Sequence, residues 1–212
     1  MKKLNDDAGV TLTLTSARVV KNRTQGRAEA KPVRDDVEAG ETLLSGESVA
    51  LRAVLDQRIG QTNEVNYRQK ELGDKLRELN LRVSLKVDRD HTDPRYVAVF
   101  VKTPNEALRT MSHDELSRYT HGVLAQLAAD PSFASIPTAE VASALANFDG
   151  ARATRETLYA QESAARGAVH SARLSLIQII NLAFPRLTVI YPKQKALVES
   201  FFYKPTKGDT VD

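Results

Sequence analysis

Val10, Leu12 and Leu14 alternate with Thr11, Thr13 and Thr15, the two-residue period of a strand with one buried face. Residues 21–46 are polar and charged, are interrupted by glycine and proline, and read as an extended arm. An arm of this composition buries too little apolar surface to order itself, so something must hold it, a partner subunit being one candidate. From Glu47 to about Leu79 the period becomes helical. Leu51, Val54, Leu55 and Ile59 form one stripe, continued by Val65, Leu72, Leu76 and Leu79. Gly60 and Gly73 weaken that helix, each by about 1 kcal/mol relative to alanine.

Next, Leu81, Val83, Leu85 and Val87 alternate with Arg82, Ser84, Lys86 and Asp88. Asp90-His91-Thr92-Asp93-Pro94 follows, and then the β-rich run Tyr96–Val101. Two such runs around an Asp/Pro turn predict a β-hairpin over 81–101. A lone hairpin is marginal in water, so it needs the Val10–Thr15 strand, a helix or another chain beside it.

Ser112-His113-Asp114-Glu115 has capping-box spacing, and predicts a helix running to about Ala129, where Asp130-Pro131 stops it. Leu116, Tyr119, Val123, Leu124 and Leu127 give it an apolar face. After Ile136-Pro137, Thr138 is placed to cap the longest helix, whose apolar positions step by threes and fours from Val141 to Ala183. Pro185 is expected to end it. Leu187–Tyr191 reads as a short strand, Lys193–Phe202 as a short helix, and 204–212 as a disordered tail. The fold class predicted is therefore α+β, mainly α: a long helical hairpin or bundle with a small antiparallel sheet. The predicted organisation is a strand and arm over 1–46, a helical domain with an inserted hairpin over 47–203, and the tail.

Charge changes this picture at the N-terminus. Residues 1–34 hold eight Lys and Arg (Lys2, Lys3, Arg18, Lys21, Arg23, Arg27, Lys31 and Arg34) against the acids Asp6, Asp7 and Glu29. The next stretch, through Glu47, carries Asp35, Asp36, Glu38 and Glu41 with no base. A basic segment beside an acidic one reads either as ordinary solvated charge or as a self-complementary pair, within the chain or between subunits. Those eight cations are the candidate contacts for a partner or for nucleic acid. The net charge of +3 is too small to argue for nucleic acid by itself. With no cysteine, disulfides, thiolate metal sites and a cysteine nucleophile are excluded. The start of the chain has no apolar signal region, and no run approaches the roughly 18 apolar residues of a membrane span. A soluble protein, cytoplasmic or within an assembled particle, is expected.

Met111-Ser-His-Asp-Glu-Leu, Leu124-Ala-Gln-Leu-Ala-Ala-Asp-Pro, Phe133, Ile136-Pro137-Thr138 and the Ala/Arg-rich long helix together resemble helical hairpin modules of uncharacterised bacterial proteins, over residues 111–183. The resemblance implies a helical fold and no activity. In layout, 79–116 is similar to flagellar FlaG proteins: helix, hairpin, then Thr103-Pro-Asn-Glu-Ala-Leu-Arg and a capped helix. Leu108-Arg109-Thr110-Met111-Ser112 stands where that family has Ile-Arg-x-Ile-Pro.

The chemistry-bearing residues are few and scattered. His113, Asp114, Glu115 and His121 share a helix, but no H-x-x-x-H or H-E-x-x-H spacing joins them. Asp88, Asp90 and Asp93 lie in one turn and lack the remaining ligands of a calcium loop. No nucleotide-cradling glycine loop or G-x-S-x-G elbow occurs in the sequence. Arg152, Arg155, Arg166 and Arg173 lie near one stripe of the long helix, where they either follow phosphates or pair with acids such as Glu156 and Glu162. No metal, cofactor or catalytic residue is assigned. These observations predict a non-enzymatic structural subunit of a bacterial or phage particle (a shell, tail, filament or secretion apparatus), forming homo-oligomers or binding other subunits. The alternative is a nucleic-acid-binding protein using the basic arm.

Overall fold

The computed structural model describes residues 4–203, and among them it holds no β-strand. The fold is mainly α, and these residues lack the small antiparallel sheet that the sequence predicts. Its helices are α1 (Val10–Thr24), α2 (Lys31–Lys86), α3 (Pro94–Val99), α4 (Pro104–Thr110), α5 (His113–Ala129), α6 (Ala139–Ile190) and α7 (Lys195–Ser200). Short 3-10 turns occupy Ala28–Ala30 and Pro131–Phe133. The chain divides into two compact units, one of Met1–Asp56 with Ala160–Asp212, the other of Gln57–Tyr159. The long helices α2 and α6 each contribute to both.

The inner unit, Gln57–Tyr159, corrects the predicted hairpin. Leu72, Leu76, Leu79, Val83 and Val87 step by threes and fours and are all buried, whereas Leu81 is 59% and Leu85 52% exposed. The helical period therefore wins over the alternating one, and α2 continues to Lys86. Both periods share Val83 and Val87, which is why the segment also reads as a strand. Asp88 and Arg89 then turn the chain with φ of 53° and 63°. The expected hairpin turn is instead a helix start. Asp93 caps α3 by accepting from the Arg95 N–H at 2.8 Å, and Pro94 occupies the first helical turn. Tyr96, Val99 and Phe100 are buried while Val97 and Val101 face outward, again the helical period.

Elsewhere in this unit the expected capping box is present: the Glu115 N–H donates to the Ser112 hydroxyl, and the Glu115 carboxylate accepts from the Ser112 N–H at 2.8 Å. Helix α5 ends at Ala129, and the Asp130 side chain accepts from the Ser132 N–H. Gly73 is a packing position. A Cβ there would stand 2.8 Å from a methyl carbon of Leu108, so only glycine lets α2 and the Leu108 side chain approach this closely.

In the outer unit the Val10–Thr15 strand and the arm over 21–46 are likewise corrected to helices. Thr13, Ser16, Ala17, Val20 and Thr24 line the buried face of α1. The hydroxyls of Thr13 and Thr24 donate to the carbonyls of Gly9 and Val20, which satisfies a threonine inside a helix. The arm becomes the end of α1, a turn at Gly26 with φ 82°, and the first turns of α2. Ala30, Val33, Val37 and Leu44 are buried there, so this chain's own core, rather than a partner, orders the segment. Gly40 admits Leu176 of α6, whose methyl carbon would lie 2.9 Å from an added Cβ.

Pro185 does not end α6, which runs to Ile190 with the proline inside it. A proline in a helix interior costs about 3 kcal/mol or more. Beyond it, however, Leu187 is fully buried and Tyr191 nearly so, and their packing holds the following turn helical. The same packing rules out the short strand expected at Leu187–Tyr191. The expected final helix is present as α7, and 204–212 lie outside the described residues. By length and composition α6 is apolar enough to cross a membrane, with 28% of the qualifying stretch buried. Leu176, Ile180 and Ala183 pack into the outer unit's core, so the structure is compatible with a soluble protein.

Candidate partner-binding site

Of the eight candidate cations, Lys2 and Lys3 lie outside the described residues. Four others find acids within the outer unit. Glu41, at the buried edge of α2, accepts from Arg18 at 2.8 Å and from Lys21 at 2.6 Å. Burial raises the Glu41 carboxyl, but hydrogen bonds from Lys21 and Arg18 outweigh it, and the group sits below its usual value. Lys31 pairs with Asp35 at 2.6 Å, one turn along α2, and Arg34 approaches Asp35 at 3.9 Å. The complementarity between basic and acidic segments is therefore used within the chain at these positions.

Arg23 and Arg27 differ: no carboxylate pairs with either among the described residues. Arg23 donates from Nη1 to the carbonyls of Ser200 at 2.7 Å and Phe202 at 3.1 Å, which ties the end of α1 to the turn after α7. The Arg27 guanidinium lies 5.4 Å from the centre of the Phe201 ring and 5.8 Å from that of Tyr191. Arg23, Arg27, Leu197, Ser200 and Phe201 line an open groove of about 540 Å³. Tyr191 is buried, and its hydroxyl has no hydrogen-bond partner among the described residues.

A second surface lies on α2. Ala39, Leu43, Gly46, Ala50 and Ala53 recur in steps of four and three, and all are exposed. Leu43 is 51% exposed and the adjoining Val49 70%. This spacing places five apolar or small side chains on one seam with no charge among them. An added Cβ at Gly46 would meet nothing, so the seam is open. On α6, Leu182, Pro185 and Val189 are exposed in steps of three and four, with Val189 at 81%.

The remaining candidate residues are engaged structurally. His113 accepts at Nδ1 from Arg155 at 3.3 Å, and its other ring nitrogen meets the Gln69 side-chain oxygen at 3.2 Å, which assigns the proton to Nε2. Burial first, then the charges of Arg155 and Arg152, hold its pKa below the ordinary histidine value. His121 meets Asp149 at 3.3 Å. The arginine stripe pairs with acids and carbonyls: Arg152 with Asp114 and Asp149, Arg155 with Glu156, Arg166 with Glu162, and Arg173 with the Ala8 carbonyl. Asp90 accepts from the N–H and the hydroxyl of Thr92, and Asp93 caps α3, so these two acids of the turn organise backbone.

One pair escaped the sequence reading. The Ser84 hydroxyl lies 2.9 Å from His91 Nε2, and the His91 ring stacks on Tyr96 at 4.6 Å. Ser84 is almost fully buried in the last turn of α2, and the contact closes the turn over Asp88 and Arg89. Seven residues of separation across a left-handed turn carry no local motif that would have revealed it. Comparison with family models, curated proteins and solved structures finds no match to this chain.

Proposed function

We propose that this protein is a non-enzymatic assembly subunit that associates with a second copy of itself through the open seam of α2. The seam carries the reading: Ala39, Leu43, Gly46, Ala50 and Ala53 are exposed, uncharged and spaced as one face of a helix that seeks another helix. Small residues there let two backbones approach closely, and Leu43 and Val49 supply the large apolar surface. The exposed stripe Leu182–Pro185–Val189 on α6 offers the same kind of contact for growth beyond a pair.

Light scattering on the eluting protein tests this. At high salt, the wild type is expected to run as a dimer or larger oligomer, and Leu43→Glu/Ala50→Glu as a monomer with its helical circular dichroism retained. A wild type that stays monomeric over its accessible concentrations, or a double variant that associates unchanged, contradicts the proposal. The nucleic-acid alternative has less support, because four of the six described cations of the basic segment are committed to Glu41 and Asp35.

A further inference from the structure

The two ends of α1 carry opposite charges that find no counter-charge among the described residues. At its start, Asp6 and Asp7 form an exposed turn and make no ion pair among the described residues. At its other end, Arg23 in the last turn and Arg27 just beyond it line the groove against α7, also without a carboxylate partner among the described residues. The helix that separates them, α1, is 15 residues long, about 22 Å at the usual rise. Because one rigid helix holds them apart, the acid pair and the base pair cannot meet within a copy.

We propose that the Arg23/Arg27 groove docks the Asp6–Asp7 turn of a second copy, head to tail. This rests on the assembly reading above and adds a different contact to it. The groove suits a carboxylate beyond its charge. The Phe201 ring and Leu197 form an apolar floor that shields an incoming ion pair from water, where an interfacial pair gains strength. Arg27 is already oriented by the two rings it covers, so little side-chain freedom is lost on pairing. The nearby Tyr191 hydroxyl is a buried donor without an acceptor among the described residues. Glu29 stands two residues from Arg27 but makes no ion pair with it among the described residues. Lys193 and Lys195, exposed in the segment after Tyr191, add to the positive field. A contact that joins different patches on identical copies is heterologous and repeats without closing unless the rotation forms a ring, so it builds chains or rings rather than pairs.

Three preparations decide it: Arg27→Glu, Asp6→Lys/Asp7→Lys, and their equimolar mixture, each measured by light scattering against concentration and salt. The Arg27 side chain makes no hydrogen bond among the described residues, so its replacement leaves the Arg23 contacts to α7 in place. Growth of the wild type beyond the side-by-side pair is expected to weaken as salt rises. Each variant alone should need at least about tenfold more protein to grow, a difference of about 1.4 kcal/mol. The mixture should recover growth, since intact acid meets intact base at one contact and Lys meets Glu at the next. If Arg27→Glu grows like the wild type, or the mixture fails to recover, the groove is not the contact. Leu43→Glu/Ala50→Glu separates the two readings: if the seam alone fails, this variant still forms salt-sensitive chains. Retention of a single-stranded oligonucleotide by the wild type but not by Arg27→Glu, with no change in mass, would assign the groove to nucleic acid and overturn the proposal.

Discussion

The helix α2 lives in two environments. Within Gln57–Tyr159 it is covered by the short helices that follow it, and Leu72, Leu76 and Val83 are fully buried. Within the outer unit, Val33, Val37 and Leu44 are buried, but no residue from Ser45 to Asp56 is, and Leu51, Val54 and Leu55 are only half-covered. The apolar period is similar in both stretches. What differs is the supply of neighbours. Apolar side chains specify where a helix must be covered, and the fold of one copy does not complete that covering on α2's outer turns.

The sharpest way to break this contrast is to truncate one leucine in each environment. Leu76→Ala is expected to destabilise the inner unit by about 2–5 kcal/mol, because the removed atoms leave a cavity in a packed core. Leu43→Ala should change the stability of a single copy by no more than about 0.5 kcal/mol, as for exposed positions generally. Urea unfolding at a concentration where the protein is monomeric measures both. Equal effects would mean that the seam is not open.

Glycine substitutions sharpen the comparison with a smaller effect and a change of sign. Gly73→Ala forces a Cβ to within 2.8 Å of Leu108 and should cost about 1–3 kcal/mol. Gly122→Ala, where an added Cβ meets nothing in α5, should stabilise by about 0.5–1 kcal/mol through helix propensity alone. Thermal unfolding distinguishes them; stabilisation by Gly73→Ala would remove the close approach assigned to that position.

The smallest expected effect is a pH dependence confined to the inner unit. His113 has its folded pKa lowered by burial and by Arg155 and Arg152, so the unfolded chain binds the proton more readily. Its contribution is fully present above the ordinary histidine pKa of about 6.5 and is lost as the pH falls through the folded value. Below that, protonation would add a third cation beside two arginines and remove the acceptor that Arg155 uses. His113→Gln should flatten this part of the stability profile, leaving the lower-pH loss from Glu41, whose carboxyl is lowered and whose contribution fades as it protonates. An unchanged profile in His113→Gln would contradict the assignment.

Some of this architecture was legible from residues alone. Ser112 and Glu115 identified the start of α5, and Asp130-Pro131 its end, because capping is a local property of four or five residues. The seam and the groove were not legible, since they depend on which apolar positions other elements leave uncovered. At 81–87 the alternating reading counted Leu81 and Leu85, which turn out to face solvent; the decisive continuity was Leu76, Leu79, Val83 and Val87. Thr11, Thr13 and Thr15 suggested a strand because the i−4 hydroxyl bonds that make threonine acceptable in α1 leave no trace in composition. Gly60 and Gly73 counted against helix by propensity, yet Gly73 marks a close contact that glycine makes possible.

The central claim is that α2's open seam is covered by the same seam of a second copy. Because the chain has no cysteine, Arg52→Cys places a single nitroxide label at the exposed flank of the seam. Six residues from Gly46 amount to about 9 Å along the helix, and packed helices lie about 8–10 Å apart. Seam-to-seam docking therefore predicts an intermolecular label distance below about 30 Å by pulsed electron resonance, abolished by Ala50→Glu. A labelled protein with no intermolecular dipolar coupling, at a concentration where light scattering shows association, would contradict it.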